Sequence, residues 1–162
     1  MIGNAMGNDR SAFPHVRIAG RTDVETLFRI RTGVRENHQS RAEIAALGIT
    51  PDSVARMLDT GARAWVCEIG GRPAGFSMAV AAERTVFALF VLPEHEGRGA
   101  GRALLRAAED WLFALGDGPI QLTTGADEAL RAHGFYRRMG WVPAGREGNG
   151  ELRYARRTPG PR

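Results

Sequence analysis

The apolar positions of this chain follow two rhythms that alternate along it. "HVRIAG" (His15 to Gly20) reads as a short strand, and Thr22 and Asp23 then offer a helix cap. Val24, Leu27, Phe28, Ile30 and Val34 recur at helical spacing, which predicts an amphipathic helix with an imperfect apolar face. "RAEIAALG" and "PDSVARMLDTG" predict one or two short helices, with Pro51 at a first helical position and Gly61 as a stop. Three strands follow. Ala64 to Ile69 and Pro73 to Ala81 flank Gly70-Gly71, a tight-hairpin signal, and Thr85 to Val91 comes after a polar turn around Ala82 to Arg84. From about Gly101 to Leu115 a helix places Leu104, Leu105, Ala108, Trp111, Leu112 and Leu115 on one face. "IQLTT" is a strand, and a helix is expected from Ala126-Asp127 through Leu130 to Met139, with Gly140 as its stop. "WVPAGR" and "ELRYARR" predict a closing antiparallel pair around "EGNG".

The predicted order is β-α-α-β-β-β-α-β-α-β-β, an α/β (α+β) single domain with a mixed sheet. The long middle helix joins Thr85–Val91 to Ile120–Thr124, so those strands should run parallel through a right-handed crossover, with antiparallel neighbours elsewhere and helices on both faces. Residues 15–157 carry this pattern; 1–14 and 158–162 are Gly/Pro-containing polar ends, expected to be flexible. A length of 162 residues with 43% hydrophobic content suits one core of this size.

Charge changes the picture by what it excludes. All 22 Lys+Arg positions are Arg, so Schiff-base lysines, lysine bases and the P-loop lysine are absent. The formal net charge of +4 is scattered, without the clustered Arg and interleaved aromatics of a nucleic-acid face. Cys67 is the single cysteine, set in an apolar strand, and reads as a core residue. No apolar run approaches ~20 residues and the first residues lack the pattern of a signal peptide, so a cytoplasmic protein without a membrane partner is expected.

The candidate chemistry lies where the third strand meets the long helix. Gly97, Gly99 and Gly101 alternate with Arg98 and Ala100 at that junction, ahead of Arg102. A glycine-rich turn at a helix N-terminus presents unpaired backbone N–H groups and a favourable dipole to an anion. Arg98 and Arg102 can add charge-assisted bonds, so the turn reads as a phosphate or pyrophosphate site. A dinucleotide fingerprint fails because Arg102 stands where its third Gly belongs, and a Walker A loop fails for want of Lys.

This segment resembles the GNAT superfamily of N-acetyltransferases, whose acyl-CoA loop reads Gln/Arg-x-x-Gly-x-Gly/Ala after a strand. Here the loop is Glu96-Gly97-Arg98-Gly99-Ala100-Gly101, led in by Leu89-Phe90-Val91-Leu92-Pro93. "AHGFYRRMGW" (Ala132 to Trp141) looks like the family's later helix and strand, and the resemblance runs from about Val16 to Ala155. It implies acetyl-CoA as acyl-donor co-substrate, held between two splayed parallel strands. Backbone groups of Leu89, Phe90 and Val91 would meet the acyl and pantetheine groups, and Gly97, Arg98, Gly99, Ala100, Gly101 and Arg102 the pyrophosphate. Ala132 and Phe135 would line the other side. Two positions depart from the pattern: Glu96 puts a carboxylate beside the pyrophosphate loop, and Ala129 replaces an Asn that contacts pantetheine in many members.

Amine attack on a thioester needs a base for the ammonium, a donor for the carbonyl oxygen and an acid for the leaving thiolate. The resemblance gives the oxyanion role to the Leu89 N–H and the acid role to Tyr136, whose phenol can donate to a thiolate. Glu36, His38, Glu83 and Asp127 are the candidates for the base, with a water relay as an alternative. The polar connector "RENH" places Glu36, Asn37 and His38 where GNAT-like folds form a wall of the acceptor pocket, so these three are the candidate substrate-binding residues. His95 reads as a loop residue, and His133 as a packing histidine. The four His, one Cys and scattered acids show no metal-ligand spacing, so no metal is expected. The expected activity is acetyl transfer from acetyl-CoA to a primary amine of a small molecule or peptide by direct attack in a ternary complex. A non-catalytic acyl-CoA-binding regulatory module is the alternative; no nucleic-acid partner is expected, and a homodimer is compatible with the reading.

Overall fold

In a computed structural model, which describes residues 12–127 and 130–159, seven strands form one sheet in the order β1-β2-β3-β4-β5-β7-β6. The strands are β1 (His15–Ile18), β2 (Ala62–Ile69), β3 (Arg72–Val80), β4 (Thr85–Val91), β5 (Ile120–Thr124), β6 (Val142–Arg146) and β7 (Leu152–Arg156). The main helices are α1 (Val24–Gly33), α2 (Arg41–Ala46), α3 (Pro51–Asp59), α4 (Ala100–Ala114) and α5 (Arg131–Arg138). Only β4 and β5 pair in parallel, with α4 as the crossover; the other neighbours are antiparallel. The mixed α/β architecture expected from the sequence is thus present.

Local chemistry explains the boundaries. Gly70 and Gly71 both take positive φ, 60° and 75°, the requirement of a tight hairpin with primed geometry. Between α1 and β2 the chain forms two helices because each has its own capping box, Ser40 with Glu43 and Thr50 with Ser53, the second followed by Pro51. Asp23 does not cap α1 with its side chain. Its carboxylate instead accepts from the Gly20 N–H at 2.8 Å and from the Arg17 guanidinium, which holds it below the usual carboxylate range.

Two expectations need correction. No helix begins at Ala126-Asp127; α5 starts at Arg131, and Ala129 lies outside the described residues. On α4, Leu115 is exposed while Glu109 joins Leu104, Leu105, Ala108 and Leu112 on the buried face. Glu109 tolerates burial because Trp141 Nε1 donates to Oε1 at 2.7 Å, with Arg156 3.9 Å away.

Strand alternation splits the core between the two faces. Trp65, Cys67 and Ile69 of β2 pack with α4 and α5, whereas Ala64 and Val66 pack with α1 and α3. On β4, Leu89 and Val91 turn to the α4 face and Ala88 and Phe90 to the α1 face.

Candidate active site

The parallel seam between β4 and β5 registers at a single pair, Thr85 with Gln121, among the described residues. Beyond that point the strands diverge, and a cavity of about 620 Å³ opens between them, lined from both faces of the sheet. At the other edge of β4 the ladder with β3, broken once by a register shift between Met78 and Ala79, runs on through Val91, and there the backbones approach so closely that a Cβ on Gly75 would meet the Phe90 carbonyl oxygen at 2.6 Å. The Leu92 N–H donates to Ala74 O at 2.8 Å. By the alternation of strand backbone, the Phe90 amide faces β3 as well, while the amides of Leu89 and Val91 face the gap. The expected backbone role of Phe90 is therefore corrected: its ring, not its amide, faces the cavity.

The glycine turn forms the floor at one end. Gly97 and Gly99 adopt φ of 75° and 86°, and Gly99 is the cap residue of α4, whose first turn carries no acidic residue. A β-branched side chain at that φ is strongly disfavoured. The positive φ values curl consecutive N–H groups toward one side, which is the cradle an anion requires. Gly97, Gly99, Ala100, Gly101 and Arg102 all line the cavity, and Arg98 does not. Glu96 neither blocks nor caps the turn: its carboxylate pairs with Arg131 at 2.7 Å, across the cleft at the start of α5.

On the α5 side, Ala132, Phe135 and Tyr136 line the cavity. Tyr136 is buried among the rings of Phe135, Trp141 and Tyr154, and its hydroxyl takes no hydrogen bond among the described residues. Burial pushes its phenol well above the usual tyrosine range, so the group stays protonated. His133 is structural: a carbonyl can only accept, so Nε2–H donates to Gly125 O at 3.0 Å and Nδ1 accepts from the Tyr154 hydroxyl at 3.0 Å.

The connector after α1 delivers only part of what its composition suggests. Glu36 and Asn37 line the cavity. One Glu36 carboxylate oxygen accepts from the Arg131 backbone N–H at 3.1 Å, tying the connector to the first turn of α5. Asn37 takes φ 53°, and this left-handed residue turns the chain so that His38 leaves the cavity wall. The His38 Nε2 lies 3.1 Å from the Thr32 carbonyl oxygen at the end of α1. The expectation that His38 faces the reaction centre is therefore corrected. Glu83 belongs to the turn at the opposite end of β4, beside a separate hollow, and Asp127 is exposed off the cavity lining.

This geometry — a mixed sheet opened at one parallel seam, with a glycine-curled helix N-terminus at the opening — coincides with a family match. The model of the acetyltransferase (GNAT) family matches residues 24–141. The chain belongs to the GNAT acetyltransferase family. No curated protein matches it in sequence. Among solved GNAT structures, the PaiA N-acetyltransferase of Thermoplasma acidophilum in complex with coenzyme A superposes with a TM-score of 0.75 at 14% identity, covering 90% of this chain and 99% of that one. The ribosomal-protein-S18-alanine N-acetyltransferase of Escherichia coli gives 0.68 at 18% identity, with coverage of 88% and 92%. The spermidine/spermine N-acetyltransferase SpeG of Vibrio cholerae gives 0.61 at 20% identity, with coverage of 90% and 92%.

The GNAT cavity of this chain also contains Arg31, Gln39 and Glu151, which the sequence did not point to, and His95, read above as a loop residue, whose Nδ1 is buried without a partner among the described residues. One of the first three was discoverable. Val24, Leu27, Phe28 and Arg31 follow the i, i+3, i+4, i+7 pattern, which puts a guanidinium on the apolar stripe of α1. The others reach the cavity from segments whose own patterns say nothing of it. Among the described residues, no group of three His, Cys, Asp or Glu side chains is placed to hold a metal ion. No helix among them is long and apolar enough to cross a membrane.

Proposed function

We propose that this GNAT protein transfers the acetyl group of acetyl-CoA to a primary amine by direct attack in a ternary complex. The observation that carries the reading is the single-pair β4–β5 seam opening beside the glycine turn. A thioester laid along that gap meets free strand amides at one end and an anion cradle at the other. Acetyl-CoA supplies an activated acyl carbon whose thiolate can leave. The residues fit it: the backbone N–H groups from Gly97 to Arg102 suit a pyrophosphate, and Arg102 adds charge. Ala132 and Phe135 wall the pantetheine side.

In the transfer, a nitrogen–carbon bond forms to the acyl carbon, the carbon–sulfur bond breaks with its electron pair going to sulfur, and the ammonium gives up protons. The gap-facing Leu89 N–H is positioned to stabilise negative charge on the acyl oxygen. Burial keeps Tyr136 protonated, and with no competing acceptor among the described residues its hydroxyl is free to donate to the departing sulfur, although the same burial makes the phenol a weaker acid. Glu36 is the remaining base from the connector. Its carboxylate already accepts one N–H from α5, so it attracts the ammonium and takes the proton directly or through water.

A thiol-release assay with acetyl-CoA and a panel of amines tests the reading. Acceptor-dependent release of CoA is expected. Tight CoA binding with no release for any amine would instead establish the non-catalytic acyl-CoA-binding module.

A further inference from the structure

Arg31 is the unusual side chain of the cavity's α1 half. It projects from the apolar stripe of α1, and its guanidinium stacks 4.3 Å above the centroid of the Phe90 ring. NH2 donates to Gln39 Oε1 at 2.7 Å, but NH1 is buried with no partner. No carboxylate pairs with it among the described residues. Desolvation lowers its pKa, with no opposing anion, whereas Arg17, Arg21, Arg41 and Arg131 are all held up by carboxylates. A half-buried guanidinium with NH1 sealed from solvent and no answering anion is costly, and a ligand anion would relieve that cost.

The surroundings narrow what that ligand is. The guanidinium carbon sits over the Phe90 ring, and the unpartnered NH1 offers in-plane N–H groups of the kind a carboxylate accepts from. Leu27, Phe28, Ile44, Val54, Phe76 and Met78 make the adjoining wall apolar. Glu36 lines the same cavity and offers the opposite charge. Phe90 directly follows Leu89, whose amide faces the gap, so an anion on Arg31 lies one strand residue from the proposed acyl position.

We infer that the acceptor is an amine that also bears a carboxylate on an apolar body, an amino acid with a hydrophobic side chain being the simplest case, and that Arg31 is the residue that selects it. This rests on the acetyl-transfer reading and narrows its acceptor. In the bound pose the carboxylate lies on Arg31, the apolar body fills the α1 side, and the ammonium points toward Leu89 and Glu36. A polyamine or a simple arylalkylamine would leave the buried NH1 of Arg31 without an acceptor.

The test compares L-phenylalanine, L-phenylalaninamide and phenethylamine as acceptors in the thiol-release assay. Wild-type kcat/KM is expected to favour the carboxylate by at least about 100-fold, because a site built to bond a group rejects analogues lacking it. In Arg31→Gln the preference should collapse toward unity through KM for the carboxylate, with the acetyl-CoA Kd unchanged; Arg31→Lys should retain part of it. A second arm needs no turnover: hydrocinnamate, the same acid without its amine, should raise the Tm of the CoA-bound wild type and not of Arg31→Gln. Equal or better use of phenethylamine or spermidine by the wild type overturns the inference, as does absence of both the acceptor preference and the hydrocinnamate shift. Failure of the acetyl-transfer reading is distinct: no amine releases thiol, while hydrocinnamate still reports on Arg31.

Discussion

The two faces of the sheet meet at the same cavity but are built differently. On the α4–α5 face the groups proposed to meet the ligand are mostly backbone: the curled amides from Gly97 to Arg102 and the amides of Leu89 and Val91. Its buried acid among the described residues, Glu109, is answered by Trp141 and Arg156. On the α1–α3 face the ligand-facing groups are side chains, and the charge on the apolar stripe, Arg31, lacks an answering carboxylate among the described residues. A charge that the protein itself satisfies belongs to the fold; one left open belongs to what binds. Backbone recognition also serves any molecule with the same diphosphate, whereas side chains can be exchanged to suit an acceptor.

The donor face should break most abruptly. Gly99→Val forces a β-branched residue into φ 86°, a strained conformation that should pull the turn's amides out of their curl. Losing two charge-assisted amide contacts, each worth about 1.5–3 kcal/mol, should weaken CoA binding by about 10²–10³-fold or more in calorimetry. An unchanged Kd would remove the turn from the donor site.

Tyr136→Phe separates chemistry from binding on that face. CoA affinity should stay nearly constant while kcat falls by about 10²-fold. Turnover within about threefold of wild type would make Tyr136 a packing residue.

For the acceptor face, Glu36→Gln keeps an oxygen for the Arg131 N–H but removes the charge. We expect kcat/KM for the amine to fall by about 10²-fold with the acetyl-CoA Kd unchanged, as for loss of a general base. A loss of CoA affinity instead would place Glu36 in the support of α5 rather than at the acceptor.

The answered charge, Glu109, sharpens the contrast through pH. Burial raises its pKa above the usual glutamate value despite the Trp141 bond and Arg156. A raised folded-state pKa stabilises below the unfolded value of about 4.3 and loses that contribution as pH rises through the folded value. The Tm of wild type should therefore decline relative to Glu109→Gln as pH increases from about 4 toward neutrality. A flat difference across that range in thermal melts would show that its partners fully offset its burial.

The smallest effect is expected at His38. Its ring contacts the Thr32 carbonyl at the end of α1 and points away from the cavity. His38→Ala should leave kcat/KM within about twofold and cost about 1 kcal/mol or less in a denaturant melt, the worth of one exposed hydrogen bond. A large kinetic loss would return His38 to the acceptor wall.

Sequence by itself determined the elements and the donor turn, because both are written in neighbouring residues. Period-two and helical spacing located Thr85–Val91 and Ile120–Thr124 and required the helix between them to make them parallel. Gly97 and Gly99 specify a backbone curl that no distant residue has to supply. It went astray where one residue redirects its neighbours: α5 starts only at Arg131, and left-handed Asn37 carries His38 out of the wall it was expected to join. Tertiary structure alone decided which charges are answered. Glu96 meets Arg131, Glu36 meets the first turn of α5 from 95 residues away, and Glu109 meets Trp141. Arg31 meets Gln39 through NH2, and its buried NH1 meets no hydrogen-bond partner among the described residues. Electrostatic pairing depends on distances of a few ångströms between segments far apart in the chain, and local periodicity cannot encode such distances.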